Sequence, residues 1–456
     1  MNQPRTIAAT ILSQFQDSRK TIDRLLNQAD HQIKRLNRPD RALVHALVYG
    51  VLRWQARLDW IINYLAAKNR KMDPMVRIIL RMGLFQLQFL HRIPQSAAVN
   101  TSVELAKKCG RNWAAGFVNG MLRQAIRQGN DIKWPDPDKD PEGYLAATHA
   151  FPGWLVSRWL DRWGYEATDR LCSAVNAVPP VTLRTNTLRV SRQTLKEGVV
   201  SEVESVHETR HSPEGLILGH LLTPVPRWPA FLNGWFQVQS EAAQIIGHFL
   251  DPKPGEIIWD ACAGLGTKTA HLAQLMQNQG QILATDHYSG KLEQLDTEMK
   301  RLGITIVNSA RMDLVRPDRI DLPDKFDRIL LDAPCTGLGV LQRNPDGKWR
   351  THAEDIQTSS QRQLLLLEAC AHRLKTGGIL VYAVCSFEPE ENDRVIDAFL
   401  LKHPEFAIRA TKLRTIIEAD RLLTPKGFLT TIPHLNQMDG FFAAAMVKTE
   451  DNQAAP

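Results

Sequence analysis

The chain lacks the features of a membrane-spanning or disulfide-stabilised protein. Its apolar stretches, such as 363–371 and 378–384, fall far short of the roughly 20 residues that a membrane span needs. Its six cysteines, at positions 109, 172, 262, 335, 370 and 385, include no C-x-x-C pair for zinc. The N-terminus has no apolar core followed by a small-residue cleavage site. We therefore expect a soluble, cytoplasmic protein with free thiols and no bound metal.

Excess positive charge is confined to one end of the chain. Residues 1–130 contain 21 Lys and Arg but only 7 Asp and Glu, whereas the net charge of the whole chain is only +7. The first 130 residues therefore carry +14 and the remaining 326 carry −7. Such a segment favours a polyanionic partner, most simply nucleic acid, because Lys and Arg replace the counterions of phosphates. A well-solvated helical surface explains the charge alone equally well.

Length and apolar periodicity predict several domains rather than one. Apolar side chains recur at helical spacing up to about residue 130, and one helix is predicted to start at Asp73-Pro74. Prolines 135, 137 and 141 then break any helix and predict a linker. We predict four parts: a helical domain at 1–130, a linker at 131–145, a small α+β module at 146–235 and an α/β domain at 236–450.

Short apolar strands alternate with helices after Phe236, which is typical of a parallel sheet covered on both faces. Three acidic residues, Asp260, Asp286 and Asp332, each follow a predicted strand. Ligands of such sheets bind beyond the carboxyl ends of the strands, so we expect the three carboxylates to face one crevice. The predicted strands are 256–259, 281–285, 304–307, 326–331 and 378–384.

A glycine-containing turn joins the first of these strands to a helix, with the sequence Asp260-Ala-Cys-Ala-Gly264-Leu-Gly266-Thr-Lys268-Thr269. The turn lacks the adjacent Gly-Lys of a Walker loop, and Thr269 stands where a dinucleotide fingerprint has its third glycine. A nucleoside with a small charged tail fits better, with Asp286 accepting hydrogen bonds from ribose hydroxyls. S-adenosylmethionine matches this description.

Two cysteines follow the ends of two predicted strands. Cys335 lies in Asp332-Ala-Pro-Cys335-Thr-Gly337, and Cys385 lies in Val384-Cys385-Ser386. A single cysteine is most often a buried structural residue, and we interpret those at 109, 172 and 370 in this way. Two cysteines beside one crevice indicate thiol chemistry instead.

The ordered motifs of the chain resemble those of the NOL1/NOP2/Sun family of RNA cytosine-C5 methyltransferases. They are Asp260-Ala-Cys-Ala with Gly266-x-Lys268-Thr269, Asp332-Ala-Pro-Cys335-Thr-Gly-Leu-Gly339, Arg343-Asn-Pro-Asp346-Gly-Lys-Trp349, Val384-Cys385-Ser386 and Asp439-Gly-Phe-Phe442. The first 130 residues resemble the antitermination factor NusB, for example at Gly116-Phe-Val-Asn-Gly120-Met-Leu-Arg123. The combination is similar to the bacterial Sun/Fmu enzymes that act on 16S ribosomal RNA, and it covers nearly the whole chain.

The resemblance implies a multidomain fold: an all-α NusB-like N-terminal domain, a small α+β middle module and a C-terminal α/β, Rossmann-like class I methyltransferase domain. It implies S-adenosyl-L-methionine as cofactor, with Asp286 at the ribose, Asp313 at the adenine amino group and Asp332 closing the pocket. The loop at the methionine moiety would consist of Cys262, Ala263, Gly264, Leu265, Gly266, Thr267 and Lys268. The chain departs from the usual family pattern at 264–267, where Ala-Pro-Gly-Gly is common, at Val384 and at Ser240.

The chemistry explains why two thiols and one carboxyl group are needed. Cytosine C5 attacks a methyl sulfonium only after a thiolate has added at C6 and created an enamine. By resemblance, Cys385 is this nucleophile, and Asp332 stabilises charge at N3. Cys335, or a water that it positions, would assist removal of the C5 proton before Cys385 leaves. The target base must also leave its stack to reach the crevice.

We therefore predict a monomeric 16S ribosomal RNA cytosine-C5 methyltransferase whose helical domain and middle module bind RNA. One alternative is a related enzyme that acts on transfer RNA. Another is a non-catalytic RNA-binding assembly factor with a decayed methyltransferase fold, which the unusual loop at 264–267 would support. The presence of both Cys335 and Cys385 argues against such a decayed factor.

Overall fold

The computed structural model describes residues 3–18, 20–66, 72–315, 325–409, 413 and 416–450. The chain packs as two compact units. Unit 1 comprises residues 1–177 together with 341–353, and unit 2 comprises 178–340 and 354–456. The all-α, α+β and α/β parts are all present, whereas the residue bounds of the four predicted parts stay a prediction.

The described residues of unit 1 form helices and no strands. The helix predicted at Asp73-Pro74 is confirmed: the Asp73 carboxylate accepts a hydrogen bond of 3.1 Å from the Val76 amide and caps the helix start. The linker predicted at 131–145 is free of helix only between 132 and 140. Its C-terminal part is wrong, because Pro141 occupies the first turn of a helix instead of breaking one. The main helices of residues 1–177 are α1 Gln3–Asp17, α2 Ile22–Lys34, α3 Arg38–Arg53, α4 Gln55–Leu65, α5 Pro74–Phe89, α6 Gln95–Lys108, α7 Ala115–Gln128, α8 Pro141–Thr148 and α9 Gly153–Asn176.

The motif Arg343–Trp349 packs inside unit 1, although the chain on both sides of it belongs to unit 2. The buried Lys348 ammonium donates hydrogen bonds to the Arg53 carbonyl at 3.1 Å, the Ala150 carbonyl at 3.2 Å and Asn176 Oδ1 at 2.6 Å. Trp349 Nε1 donates to the Leu52 carbonyl at 2.6 Å. Burial lowers the pKa of Lys348 well below its ordinary value. The segment 341–353 is thus fixed to the helices by polar groups that have lost their water.

We expect Lys348→Met to destabilise unit 1 by about 2 to 4 kcal/mol, because the methionine keeps most of the stem but leaves buried acceptors unpaired. The melting temperature and the urea midpoint of the variant measure the effect. Lys107→Met is the matched control, since Lys107 makes an exposed ion pair with Glu104. Equal stability of the two variants would show that the Lys348 hydrogen bonds contribute nothing.

Unit 2 begins with a small antiparallel sheet. Its strands are β1 Val181–Thr185, β2 Val206–Glu208, β3 Gly215–Leu218 and β4 Phe236–Val238, in the order β2-β3-β1-β4. Helices α10 Arg192–Val199 and α11 Pro229–Leu232 accompany the sheet. Leu183, Leu216 and Phe236 from the strands pack with Leu195 and Trp228 in one buried core. A small α+β module, as predicted from the sequence, is therefore present here.

The larger sheet of unit 2 contains the strands β5 Ile257–Asp260, β6 Gln281–Asp286, β7 Val307–Arg311, β8 Phe326–Asp332, β9 Leu374–Val384, β10 Phe406–Ile408, β11 Leu429–Thr431 and β12 Phe441–Lys448. Their order is β10-β12-β9-β8-β5-β6-β7, and β11 pairs with β12. The five strands from β9 to β7 are parallel, whereas β12 runs antiparallel to β9.

Both faces of this sheet are covered by buried apolar clusters, as the continuous hydrophobic strands predict. The remaining helices are α12 Glu241–Leu250, α13 Thr267–Leu275, α14 Ser289–Leu302, α15 Gly347–Arg350 in the segment fixed to unit 1, α16 Ala353–Ala371, α17 Asp393–Lys402 and α18 Pro433–Asn436. In the described part of the chain, no helix combines the length and apolar character that a membrane crossing requires.

One predicted strand is wrong in position. We predicted a strand at 304–307, but β7 covers Val307–Arg311. Gly303 ends α14 in a left-handed conformation, and the Ile304 amide donates to the Met299 carbonyl at 2.9 Å. Ile304 thus completes the end of the helix, and the strand starts three residues later.

Candidate active site

The predicted site residues lie along one edge of the larger sheet. Cys385 follows β9, Asp332 ends β8, Asp260 ends β5, Asp286 ends β6, and Asp313 lies two residues beyond β7. These strands are adjacent and parallel in this order, so their carboxyl ends share an edge. The structure thus brings the predicted carboxylates and the second cysteine to the crevice side that open α/β sheets use for ligands.

The loop between β5 and α13 turns through two glycines with left-handed backbone, at φ +58° for Gly264 and +80° for Gly266. A Cβ atom at Gly266 would lie 2.5 Å from the Leu295 side chain, so no other residue fits there without displacement. The Gly264 amide donates to Asp286 Oδ2 at 3.1 Å. The atypical Gly-Leu-Gly-Thr sequence therefore forms a tight loop that is bound to the end of β6.

The other residues of this loop differ in exposure. Cys262 and Ala263 are half-buried, and the Ala263 amide donates to the Thr285 carbonyl at 2.9 Å. Leu265 is exposed. The Thr267 carbonyl accepts a bond of 2.8 Å from the buried guanidinium of Arg184, which also binds two glutamine side chains. Sequence reasoning missed Arg184, because its contact with the loop joins residues 83 positions apart.

Lys268 connects the loop to the end of β8. Its Nζ lies 2.6 Å from Asp332 Oδ2 and 5.2 Å from the centroid of the Phe441 ring. Burial alone would lower the pKa of Lys268, but the Asp332 carboxylate outweighs burial and raises that pKa. Lys268 therefore stays a cation, and the crevice holds a charged pair rather than a surface lysine.

Asp286 and Asp313 occupy different environments. Asp286 is buried and accepts hydrogen bonds from the amide of Tyr288 at 2.9 Å and from Lys291 Nζ at 3.3 Å, in addition to the Gly264 amide. Asp313 is half-buried and lies 3.9 Å from His287 Nδ1. Asp286 is thus held firmly against the loop, whereas Asp313 lies further along the edge.

The two predicted thiols meet. Cys335 Sγ and Cys385 Sγ are 3.3 Å apart, and both residues are half-buried. The hydrogen bond to Cys385, together with burial, raises the pKa of Cys335 well above its ordinary value. The Cys385 carbonyl accepts a bond of 3.0 Å from the Gly339 amide, which ties the two cysteine loops together. Cys335 is consequently protonated at neutral pH, and either sulfur can be the donor of the hydrogen bond between the thiols.

Glu391 is a second residue that sequence reasoning missed. It is fully buried, and its carboxylate accepts bonds from the Thr336 amide at 2.8 Å, the Thr336 hydroxyl at 2.5 Å and Gln363 Nε2 at 3.0 Å. Its own carbonyl accepts from the Tyr382 hydroxyl at 2.6 Å. Glu391 therefore fixes the residue next to Cys335. The available signal was the acidic Glu388-Pro-Glu-Glu391 segment that follows Cys385.

Three family models match parts of this chain. The model described as 16S rRNA methyltransferase RsmB/F matches residues 247–447. The NusB family matches residues 2–127, and the ferredoxin-like domain of RsmF/B-like methyltransferases matches 151–223.

Similar proteins extend this match to nearly the whole chain. The Synechocystis sp. protein named "Probable ribosomal RNA small subunit methyltransferase B" is 38% identical over 91% of this chain and 92% of its own length. The Pseudomonas putida protein named "Ribosomal RNA small subunit methyltransferase B" is 33% identical over 98% of each chain.

The chain belongs to the RsmB/F family of 16S rRNA methyltransferases. A solved structure, that of PH0851, has a TM-score of 0.79 and 28% identity, and the match covers 98% of this chain and 99% of that one. The resemblance predicted from the motifs is therefore confirmed, and so is the predicted fold class.

A further cluster of ionisable side chains in this RsmB/F family member lies among Glu214, His248 and His271. Their ligand-type atoms lie within 4.8 Å of one another, with His248 Nε2 2.9 Å from Glu214 Oε2. Burial lowers the pKa of His271 well below its usual range, and the charge of Arg184 lowers it further. That same charge opposes a second cation nearby. The expected absence of a metal stays a prediction.

Asp260 has an unusual environment for a carboxyl group. It is fully buried; Oδ2 accepts from the Thr269 hydroxyl at 2.6 Å, and Oδ1 has no partner among the described residues. Burial raises the pKa of Asp260 to about 7; the Thr269 bond opposes this effect, and the nearby charges of Asp332 and Asp286 add to it.

This pKa predicts how stability depends on pH. In the unfolded chain, an aspartate has a pKa of about 4. Between that value and about 7, the folded protein binds an extra proton at Asp260, so stability falls as pH rises through this window. Asp260→Asn should remove this loss and be more stable than the unmodified protein at pH 8 by about 4 kcal/mol. Melting temperatures at pH 5 and pH 8 test this, with Asp397→Asn as a surface control; parallel pH curves for the unmodified protein and Asp260→Asn would contradict it.

Proposed function

We propose that this chain methylates C5 of a cytosine in 16S ribosomal RNA, through a covalent bond between Cys385 and C6 of the base. The observation that carries the proposal is the pair of thiols, 3.3 Å apart, at the strand edge that also holds Asp332. Relatives named for methylation of small-subunit ribosomal RNA align over more than nine-tenths of the chain and support the RNA class.

The residues around the β5 loop fit S-adenosyl-L-methionine. The carboxylates of Asp286 and Asp332 supply negative charge, which suits a sulfonium and ribose hydroxyls, and the left-handed glycines let the backbone approach a ligand closely. We assign the methionine moiety to the loop 262–268, the ribose to Asp286 and the adenine amino group to Asp313. The cofactor supplies an electrophilic methyl group.

The two thiols have separate tasks in this proposal. The Cys385 thiolate forms a bond to C6, and the electron pair of the C5–C6 double bond becomes available for methylation at C5. Asp332 takes a proton from solvent and, as a carboxylic acid, donates a hydrogen bond to N3 as negative charge develops there. Lys268 holds Asp332 in place through their contact of 2.6 Å. The C5 proton is then removed, the double bond re-forms, and Cys385 leaves as a thiolate.

The hydrogen bond between the thiols sets the order of the two steps, attack by Cys385 and proton removal by Cys335. While Cys385 is a thiolate, Cys335 donates to it and stays protonated, which agrees with its raised pKa. Adduct formation removes the negative charge on Cys385, so the pKa of Cys335 falls. Cys335 then loses its own proton to solvent, and the resulting thiolate, or a water beside it, accepts the C5 proton. Thus Cys335 becomes a base only after Cys385 has reacted.

Two alternative functions predict different experimental results. A transfer RNA enzyme would use the same thiols, and a decayed assembly factor would bind no cofactor. The buried ion pair and the paired thiols favour an enzyme, and the names of the relatives favour ribosomal RNA. Bisulfite sequencing of cellular RNA with and without the gene should show loss of one 5-methylcytosine from 16S ribosomal RNA; loss from a transfer RNA instead would overturn the substrate assignment.

The cysteine variants should fail in different ways. Cys385→Ala should lose methyl transfer entirely and form no covalent complex, because no thiol remains to attack C6. Cys335→Ala should allow attack and methylation but slow release, so that protein stays joined to RNA. Denaturing gels with RNA and S-adenosylmethionine should show a retarded band only for Cys335→Ala. A band only for Cys385→Ala would exchange the roles, and full activity of both variants would refute the covalent mechanism.

Asp286→Ala should weaken the binding of S-adenosylmethionine by about 1.5 to 3 kcal/mol, because ribose hydroxyls lose a charge-assisted partner. Titration calorimetry measures the change. Asp397→Ala is the control, since Asp397 is an exposed aspartate in an ion pair with Lys426. An unchanged binding constant for Asp286→Ala would place the ribose elsewhere.

A further inference from the structure

Unit 1 contains an open groove that the catalytic proposal does not use. Its cavity has a volume of about 710 Å³ and is lined by the rings of Trp54, Phe89, Trp134 and Tyr144, the guanidinium of Arg57 and polar groups such as His149. The lining comes from helices α4, α5, α8 and α9 and from the stretch between α7 and α8. Trp134, which lies in the segment predicted to be a linker, therefore forms part of the groove wall.

The aromatic side chains of the groove are held by stacking contacts, which include one between Trp134 and Trp60. Trp54 and Phe89 stack on each other, with centroids 4.8 Å apart and an angle of 21° between planes. The Arg57 guanidinium lies 4.6 Å from the centroid of Trp134. The groove residues Trp54, Arg57, Phe89, Trp134 and Tyr144 are all half-buried, so each is held by the protein and still reaches the solvent. Flat, part-exposed rings of this kind are the usual platforms for unpaired bases.

Arg57 retains unused hydrogen-bonding capacity in this groove. One terminal nitrogen donates to the Thr148 carbonyl at 3.0 Å, whereas the enclosed Nε has no partner among the described residues. A second cavity of about 320 Å³ shares Arg57 and Phe89 with the groove, and there the buried Oε1 of Gln88 also lacks a partner. The unpaired donor of Arg57 lies beside the aromatic rings of the groove, whereas the unpaired acceptor of Gln88 belongs to the second cavity.

We propose that this groove, lined by Trp54, Arg57, Phe89, Trp134 and Tyr144, binds unpaired bases of RNA by stacking. The inference rests on the proposed function, because that function makes RNA the substrate. Charge favours RNA over a peptide as the occupant, since residues 1–130 carry a net charge of +14. The groove would hold a single-stranded part of the substrate, while exposed basic residues hold its phosphates.

The test uses the full chain and a labelled single-stranded RNA of mixed sequence, alongside the same strand with abasic sites. Trp134→Ala should weaken binding of the intact strand by roughly 5- to 100-fold, the range for loss of one base stack, with an unchanged salt slope. It should leave binding of the abasic strand unchanged. The double variant Arg123→Gln/Arg127→Gln, on the exposed side of α7, should instead reduce the salt slope by about 2.

Two matched variants separate stacking from structural damage. Trp113→Ala removes a tryptophan of unit 1 that is 68% exposed and does not line the groove, and it should leave affinity unchanged. Trp134→Phe keeps a ring and should keep most of the affinity. Equal losses for Trp134→Ala and Trp113→Ala, or equal losses on intact and abasic RNA, would overturn the proposal. Loss in Trp134→Phe as great as in Trp134→Ala would also overturn it.

A methylation assay distinguishes failure of this proposal from failure of the proposed function. If the unmodified protein methylates RNA and Trp134→Ala has unchanged KM and kcat, the groove proposal alone is wrong. If the groove binds bases as described but the unmodified protein methylates no RNA, the proposed function is wrong and the groove stands. An increase in KM with unchanged kcat for Trp134→Ala supports both.

Discussion

The arrangement of the crevice depends on the ion pair between Lys268 and Asp332, whose atoms are 2.6 Å apart. Lys268 lies at the start of α13, and Asp332 is the last residue of β8, so the pair joins the glycine loop to the segment that leads to Cys335. A buried ammonium without this partner would lose its hydration and gain nothing in return. The pair therefore fixes the spacing between the region assigned to the cofactor and the region assigned to the base.

A second set of buried contacts holds the thiols. Glu391 binds the amide and hydroxyl of Thr336, and Gly339 binds the carbonyl of Cys385, so the loops after β8 and β9 are joined on both sides of the cysteines. A covalent mechanism needs such rigidity, because the attacking thiol must meet C6 at close range while its neighbour stays near C5. The distance of 3.3 Å between the two sulfur atoms is the result of this framework.

Much of this site could be predicted from the sequence. Asp260, Asp286 and Asp332 follow apolar runs, and parallel strands place their carboxyl ends on one edge, so their proximity followed from local pattern alone. The roles of Cys335 and Cys385 came from motif resemblance. The start of β7 was mispredicted because an apolar residue such as Ile304 suits both a strand and the end of a helix. In the structure, the Ile304 amide bonds to the end of α14.

The contacts between residues distant in the chain could not be predicted. Lys348 binds the carbonyl of Arg53 across 295 positions, and nothing near Lys348 in the sequence indicates that its segment packs with the helices of unit 1. Glu391 lies in an acidic segment with no sequence pattern that indicates burial, yet it is fully buried and binds Thr336. In the same way, Trp134 stood among prolines and charges that predict a linker. Burial of polar groups depends on tertiary packing, which periodicity does not report.

The central claim is that Cys385 bonds to C6 of the target base during methyl transfer. It is tested most directly with substrate RNA in which cytidine is replaced by 5-fluorocytidine, because fluorine at C5 cannot leave as a proton does and the adduct must accumulate. Mass spectrometry of digested complexes should find the methylated nucleotide on the peptide that contains Cys385, only when S-adenosylmethionine is present. A stable adduct on the peptide that contains Cys335, or no adduct on either peptide, would contradict the account.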